Sequence, residues 1–166
     1  MTDSSSFVLD ANVFIEAKNR YYAFDLAPRF WESLILHASN GLIKSIDKVK
    51  KELEDLNDEL SIWIKNHLNK AFVSTDDEEV ICVFGAMQNW ANNQPQFMDA
   101  AKADFANAAD GWLVAYAKAK NCVVVTKEVL APEAKRKIKI PNVCQAFDVP
   151  FIDTFEMLRR LGVRFA

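Results

Sequence analysis

The sequence predicts an α/β fold with a mainly parallel sheet and helices on both faces. Short apolar runs without polar alternation, at residues 6–9 and 122–125, are typical of strands buried on both sides. Between such runs lie longer segments in which apolar residues recur at helical spacing. Strands that alternate with helices favour parallel pairing, because parallel neighbours need a long crossover connection.

The first half of the chain contains three strand candidates, at residues 6–9, 42–46 and 71–74. A helix is predicted over residues 27–39, because Pro28 suits its first turn and Asn40-Gly41 is a stop signal. Residues 47 to about 69 repeat apolar positions every three or four residues, which predicts one amphipathic helix or a pair. The acidic run 75–79 begins the next helix, and residues 92–95 break the pattern.

The second half contains strand candidates at residues 122–125 and 151–152. Asn107 is expected to cap the helix that contains Asp110, with Asp110 at its third position. Residues 137–140 are expected to be extended, before a short helix that ends near residue 146. Asp153 is expected to cap a last helix that ends near Gly162. No linker or repeat interrupts the sequence, so residues 1–166 are expected to form a single domain.

Composition excludes several classes of protein. The three cysteines are widely spaced among apolar residues, which argues against a disulfide framework or a zinc site. Neither a membrane-spanning run nor a signal segment is visible, so a cytoplasmic protein without membrane contact is expected. The formal charge of −3 argues against a nucleic-acid coat protein, but two basic groups, at 48–51 and 135–139, are able to contact phosphate.

Four carboxylates stand at comparable places in this pattern. Asp10 and Glu128 follow strands, while Glu52 and Asp110 lie near helix starts. In open α/β sheets such positions meet at the carboxyl edge of the strands. Converging carboxylates repel one another without a cation, and oxygen ligands suit Mg²⁺ or Mn²⁺. A bound ion of this kind supports phosphodiester hydrolysis, which requires an activated water and charge neutralisation.

Four segments in this order resemble PIN-domain ribonucleases, the class that includes VapC-type toxins. They are Val-Leu-Asp-Ala-Asn at 8–12, Lys-Glu-Leu at 51–53, Asp110 with its alanine-rich helix, and Val-Val-Thr-Lys-Glu at 124–128. The ending, at 139–144 and 151–158, resembles an uncharacterised PIN-like branch that is longer than compact VapC toxins. The resemblance implies an α/β/α sandwich in which Asp10, Glu52, Asp110 and Glu128 bind the metal and act in catalysis. PIN domains commonly have Asp at the last of these four positions, where this chain has Glu128. Three alternatives stay open for Glu128: it binds the metal directly, it binds through water, or it does not bind the metal.

Further residues are candidates for supporting roles, two of them through the same resemblance. Asn12 and Thr126 match frequent polar positions, which either support the metal ligands or cap the strand ends. Asp104 is a candidate outer ligand. Lys51 and Lys127, next to two of the acids, are expected to bind substrate.

The leading hypothesis is a Mg²⁺- or Mn²⁺-dependent endoribonuclease, the toxin of a toxin–antitoxin pair. Single-stranded RNA is favoured, with Trp112 and Tyr116 as candidates for base stacking, although the hydrolytic chemistry alone leaves DNA open. The resemblance also implies an antitoxin, which blocks the acidic cleft or inserts a basic side chain into it. Many PIN domains form dimers, so a homodimer is compatible with the resemblance.

Two other functions remain open on the sequence. A phosphatase of the haloacid-dehalogenase type also has an Asp after its first strand, but it needs a second Asp where this chain has Asn12. A catalytically weak PIN scaffold that binds RNA or a protein partner is compatible with Glu at position 128. Calorimetric titration with Mn²⁺ separates the scaffold from the nuclease.

Overall fold

The computed structural model describes residues 6–165 of the chain. The predicted α/β fold with a parallel sheet and helices on both faces is confirmed. All five leading strand candidates form strands, most of them shorter than predicted: β1 (Phe7–Leu9), β2 (Ile43–Ile46), β3 (Phe72–Val73), β4 (Val123–Val125) and β5 (Phe151–Ile152). Residues 1–5 and 166 lie outside the described part, so the expectations of a signal-free N-terminus and a single domain over 1–166 extend beyond it.

The strand order is β3-β2-β1-β4-β5, with every pair parallel. The chain starts at the centre, moves outward to β3, and then crosses back to place β4 on the other side of β1. Strand order therefore reverses between β1 and β4. Such a reversal opens a crevice beyond the carboxyl ends of the two strands, where open α/β sheets bind their ligands.

Helices connect the strands of the described chain. They are α1 (Ala11–Glu16), α2 (Pro28–Ser39), α3 (Asp47–Glu54), α4 (Glu59–Trp63), α5 (Glu78–Asn92), α6 (Asp99–Asn107), α7 (Ala109–Lys120), α8 (Ile140–Ala146) and α9 (Thr154–Leu161). π-helical turns, Ala17–Tyr21 and Ile64–Leu68, extend α1 and α4, and a 3₁₀ turn, Asn69–Ala71, precedes β3. The segment after β2 is a pair of helices, because Asp58 accepts the backbone N–H of Ser61 at 3.0 Å and starts α4 anew. No helix within residues 6–165 is long and apolar enough to cross a membrane.

Two local predictions were wrong. Asn107 does not cap the helix of Asp110: it ends α6, and its side-chain amide donates to the carbonyl of Ala103 at 2.9 Å. Ala108 takes the cap position instead, so Asp110 is the second residue of α7. Residues 137–140 form no strand, because Ile140 already belongs to α8. Ile138 and Ile140 are both buried and anchor the loop to the core. Their spacing of two residues resembles the pattern of a strand.

Helix α7 packs closely on its neighbours through Gly111. A Cβ atom there would lie 3.0 Å from ring carbons of both Phe84 on α5 and Phe105 on α6. Such a contact is tighter than nine in ten real Cβ contacts, so glycine permits the close approach. The residue before it, Asp110, is therefore held at a fixed height beside the sheet.

Candidate active site

Asp10 lies at the crevice between β1 and β4. Leu9 pairs with Val125 in the parallel register, and the backbone N–H of Asp10 donates to the carbonyl of Val125 at 3.0 Å. The residue that follows β4, Thr126, donates its hydroxyl to Oδ2 of Asp10 at 3.2 Å. On the other side of β1, Ser45 donates to the carbonyl of Leu9 at 2.6 Å. Thr126 thus holds the Asp10 carboxylate, while Ser45 holds the backbone directly before it.

Asp110 and Glu52 approach Asp10 from two helices. Asp110 lies in the first turn of α7, and α3, which carries Glu52, packs against α7. The backbone of Ala109, at the start of α7 where N–H groups are free, lowers the pKa of Glu52. The charge of Glu52 in turn raises the pKa of Asp110, which places the two side chains near the same crevice.

The acids act on one another electrostatically. Asp10 is 3% exposed, and its burial, together with the charges of Asp110 and Glu128, raises its pKa to about 7. Burial and the charge of Glu128 raise the pKa of Asp110 to about 6. Burial also raises the pKa of Glu52, against the opposing effect of the Ala109 backbone. The charges of Asp110, Glu128 and Glu52 all act on Asp10, so these acids, far apart in the sequence, lie near one crevice.

Glu128 is engaged by donors from the chain itself. Its side chain is 8% exposed. Oε1 accepts the backbone N–H of Ile140 at 2.9 Å, and Oε2 accepts the ammonium group of Lys137 at 2.6 Å. Glu128 thus ties the loop after β4 to the start of α8.

The donor chemistry of this site fits a hard divalent cation. Asp10, Glu52 and Asp110 offer carboxylate oxygens alone, which Mg²⁺ and Mn²⁺ accept. Burial and neighbouring acids raise the pKa values of Asp10 and Asp110, and a bound cation would oppose this by favouring their charged forms. Within residues 6–165, however, no three side chains of His, Cys, Asp or Glu lie close enough to enclose an ion as they stand. The residues match a metal by type and placement, and ion binding requires their side chains to draw together.

The remaining predicted residues divide into two groups. Thr126 and Lys127 follow β4 at the crevice, where Lys127 donates to Glu16 at 2.9 Å. Asn12 lies in the first turn of α1 and lines a neighbouring cavity. By contrast, Lys51 faces outward, 78% exposed, and pairs with Asp55 at 3.6 Å. Asp104 is exposed on α6 and is not among the groups whose charges act on Asp10.

A cavity of about 180 Å³ opens beside the crevice. Asn12 and Lys127 lie on its wall together with Tyr21, Asp153 and Phe155. The rings of Tyr21 and Phe155 meet edge to face at 5.6 Å, and both remain substantially exposed. Sequence reasoning missed this cavity because its walls come from opposite ends of the chain, and no local motif joins α1 to α9.

The two aromatic residues proposed for base stacking are occupied by packing. Tyr116 is buried. Trp112 stacks on Phe84 with ring centroids 3.8 Å apart, and the Lys48 ammonium lies 4.4 Å from the Trp112 ring centroid. These contacts make Trp112 part of the packing between α5 and α7 rather than an open platform.

One family model matches almost the whole described chain. It is described as "Domain of unknown function (DUF4411)" and matches residues 7–165. No curated protein matches the chain in sequence.

Solved structures with a similar fold include VapBC2 from Rickettsia felis bound to a DNA fragment from their promoter. That match has a TM-score of 0.53 and 14% identity, and covers 89% of this chain and 97% of that chain. FitAcB from Neisseria gonorrhoeae matches with a TM-score of 0.51 and 19% identity, over 88% and 96% of the two chains. VapBC-1 from nontypeable Haemophilus influenzae matches with a TM-score of 0.53 and 18% identity, over 89% and 96%. At these identities the likeness is one of fold, and it agrees with a PIN-like α/β/α architecture.

Proposed function

We propose that this chain, which belongs to the DUF4411 family of unknown function, is a divalent-metal-dependent endoribonuclease with a PIN-like fold. The observation that carries the proposal is the meeting of Asp10, Glu52 and Asp110 at the point where strand order reverses. A buried carboxylate whose pKa is raised further by neighbouring acids, as at Asp10, is costly to the fold, so a function that uses its charge is the best account of it.

Each residue has a defined part in this proposal. Asp10, Glu52 and Asp110 would hold Mg²⁺ or Mn²⁺, which when bound supplies an activated water and neutralises charge on the phosphate. Thr126 holds Oδ2 of Asp10, and the backbone of Ala109 favours the charged form of Glu52. The burial of Asp10 keeps bulk water from its carboxylate. Glu128 adds negative charge to the same crevice.

We further propose that the substrate is RNA and that the protein is the toxin of a toxin–antitoxin pair. Support comes from the sequence resemblance to VapC-type toxins and from the similar structures, two of which are named VapBC. An antitoxin with a basic side chain would complement the acidic crevice. A homodimer, common among PIN domains, belongs to the same proposal.

The experiment is cleavage of single-stranded RNA by the purified protein in the presence of Mn²⁺. Asp10→Asn is expected to abolish cleavage, because it removes the most buried charge of the site while keeping the side-chain shape. Asp76→Asn is the matched control: Asp76 is exposed and is not among the groups whose charges act on Asp10, so its variant should cleave like the parent. Equal cleavage by Asp10→Asn and the parent would reject the proposal.

A catalytically weak scaffold is the second candidate. Two observations favour it: both Glu128 oxygens are engaged by the chain, and the acids do not enclose an ion as they stand. Calorimetry distinguishes the two functions. The nuclease should bind Mn²⁺ at millimolar concentrations or below, whereas a folded scaffold should show no binding.

A further inference from the structure

A lysine of the chain lies within the acidic crevice. The Lys137 ammonium contacts Glu128 at 2.6 Å, and its charge lowers the pKa of both Asp110 and Glu52. Burial alone would lower the pKa of Lys137, but the hydrogen bond to Glu128 and the charges of Glu128, Asp110 and Asp10 raise it overall. Lys137 therefore acts as a cation in the crevice, not as a freely solvated residue of the 135–139 basic group.

The position of Lys137 is fixed by the segment that carries it. Ile138 and Ile140, on either side of Lys139, are buried and turn Lys137 toward the crevice. The other oxygen of Glu128 accepts the N–H of Ile140, so one carboxylate holds both the lysine and the segment's end. Asn142 holds the start of the loop that carries Lys137, at Ala131. Its side-chain NH₂ group donates to the Ala131 carbonyl at 2.8 Å, and its side-chain oxygen accepts the Ala131 N–H at 3.0 Å.

These contacts leave Glu128 little capacity for a metal. Each of its oxygens already accepts a charged or backbone donor, and its side chain is almost fully buried. Lys137, by comparison, has three donor hydrogens and uses one of them on Glu128. Its side chain is 53% exposed, so a ligand in the crevice is able to reach the other two.

We propose that Glu128 is a positioning residue and not a metal ligand: it holds Lys137 as a built-in cation of the crevice, where the ammonium group binds the RNA phosphate. The inference rests on the proposed nuclease function and assigns the substrate contact within that site. Asp10, Glu52 and Asp110 are then the carboxylates left for the metal. Lys137 contributes positive charge beside them, which repels the metal ion and attracts the phosphate.

Mn²⁺ binding, measured by calorimetry, tests the metal part of the inference on four full-length proteins. Lys137→Met removes the repulsion and should tighten Mn²⁺ binding about threefold or more. Glu128→Gln keeps an acceptor for Ile140 and should change Mn²⁺ affinity less than about fivefold. Lys135→Met is the matched control, because Lys135 lies in the same segment, is exposed, and pairs with no acid among residues 6–165. Its Mn²⁺ affinity should equal that of the parent.

Kinetics on single-stranded RNA at saturating Mn²⁺ test the phosphate part. Lys137→Met should raise KM about tenfold, and Lys137→Arg should restore most of the lost affinity, since a cation remains. The combination of weaker RNA binding and tighter metal binding is not expected from simple loss of structure.

Three results would overturn the inference: a Glu128→Gln variant whose Mn²⁺ affinity falls about fivefold or more, a Lys137→Met variant that binds Mn²⁺ no tighter, or an unchanged KM. Should Glu128→Gln fail to fold, the Lys137→Met measurements decide alone. Failure of the proposed function has a different signature. If no protein cleaves RNA but the Mn²⁺ affinities follow the stated pattern, the nuclease assignment falls and the positioning role of Glu128 stands.

Discussion

Asp10 shows how one residue is held in an environment that opposes its charge. It is among the few buried polar residues of the described chain, and Thr126 is its side-chain hydrogen-bond donor. That hydrogen bond favours the charged form, but burial and the neighbouring acids outweigh it and set the pKa near 7. At neutral pH without metal, the Asp10 carboxyl is therefore divided between the protonated and the ionised form.

This state predicts the pH dependence of stability. Folding raises the pKa of Asp10 from 3.8 to about 7, so the folded protein keeps a proton that the unfolded chain releases. The resulting stability is fully present below pH 3.8 and is lost as the pH rises through 7. Over pH 5 to 8, the metal-free protein should lose on the order of 2 to 4 kcal/mol of unfolding free energy through this residue.

Urea unfolding in the presence of EDTA measures this loss, with Asp10→Asn as the comparison. The variant carries no titrating group at position 10, so its stability should vary less with pH and exceed that of the parent at pH 8. Asp110, whose pKa is raised to about 6, leaves a smaller residual slope in the variant. Identical pH profiles for the two proteins would contradict the account of Asp10.

Among the elements, α7 sets the position of Asp110, the second acid of the crevice. Gly111 lets α7 approach the rings of Phe84 and Phe105, and Asp110 precedes it directly. The backbone of Ala109, also at the start of α7, lowers the pKa of Glu52. The start of this helix therefore influences two of the acids at once.

Gly111→Ala is expected to destabilise the protein by about 1–3 kcal/mol, because the added methyl group would lie 3.0 Å from two packed rings. Gly85→Ala is the matched control, since Gly85 is also helical but has open space where a Cβ would lie. In that setting alanine should stabilise the helix by about 0.5–1 kcal/mol. Chemical denaturation measures both variants, and a Gly111→Ala protein as stable as the parent would disprove the tight packing of α7.

The elements also show what a single sequence reveals. Strands β1 and β4 were predictable because uninterrupted apolar residues are typical of a sheet buried on both faces. The extended segment predicted at 137–140 ends one residue early and pairs with no strand, because Ile140 begins α8 and the alternating isoleucines anchor a loop. The predicted cap of α7 was wrong because Asn107 is the last residue of the preceding helix, α6. Composition alone does not show where α6 ends.

At the scale of the whole molecule, topology creates the site. The jump from β3 back across β1 to β4 places Asp10 and Thr126 side by side, although most of the chain separates them. Sequence reasoning found these residues because strand ends of parallel neighbours meet at one edge. It placed Lys137 only within a basic group able to contact phosphate, not in the crevice, and it did not find the cavity at Tyr21 and Phe155, because these positions depend on how loops fold back and not on periodicity.

Anomalous diffraction from crystals soaked in Mn²⁺ tests most directly whether Asp10, Glu52 and Asp110 bind one divalent cation. A manganese peak is expected in the crevice between β1 and β4, within about 2.5 Å of carboxylate oxygens from Asp10 and Asp110. A crevice with no manganese peak, in well-ordered crystals at millimolar Mn²⁺, would contradict it.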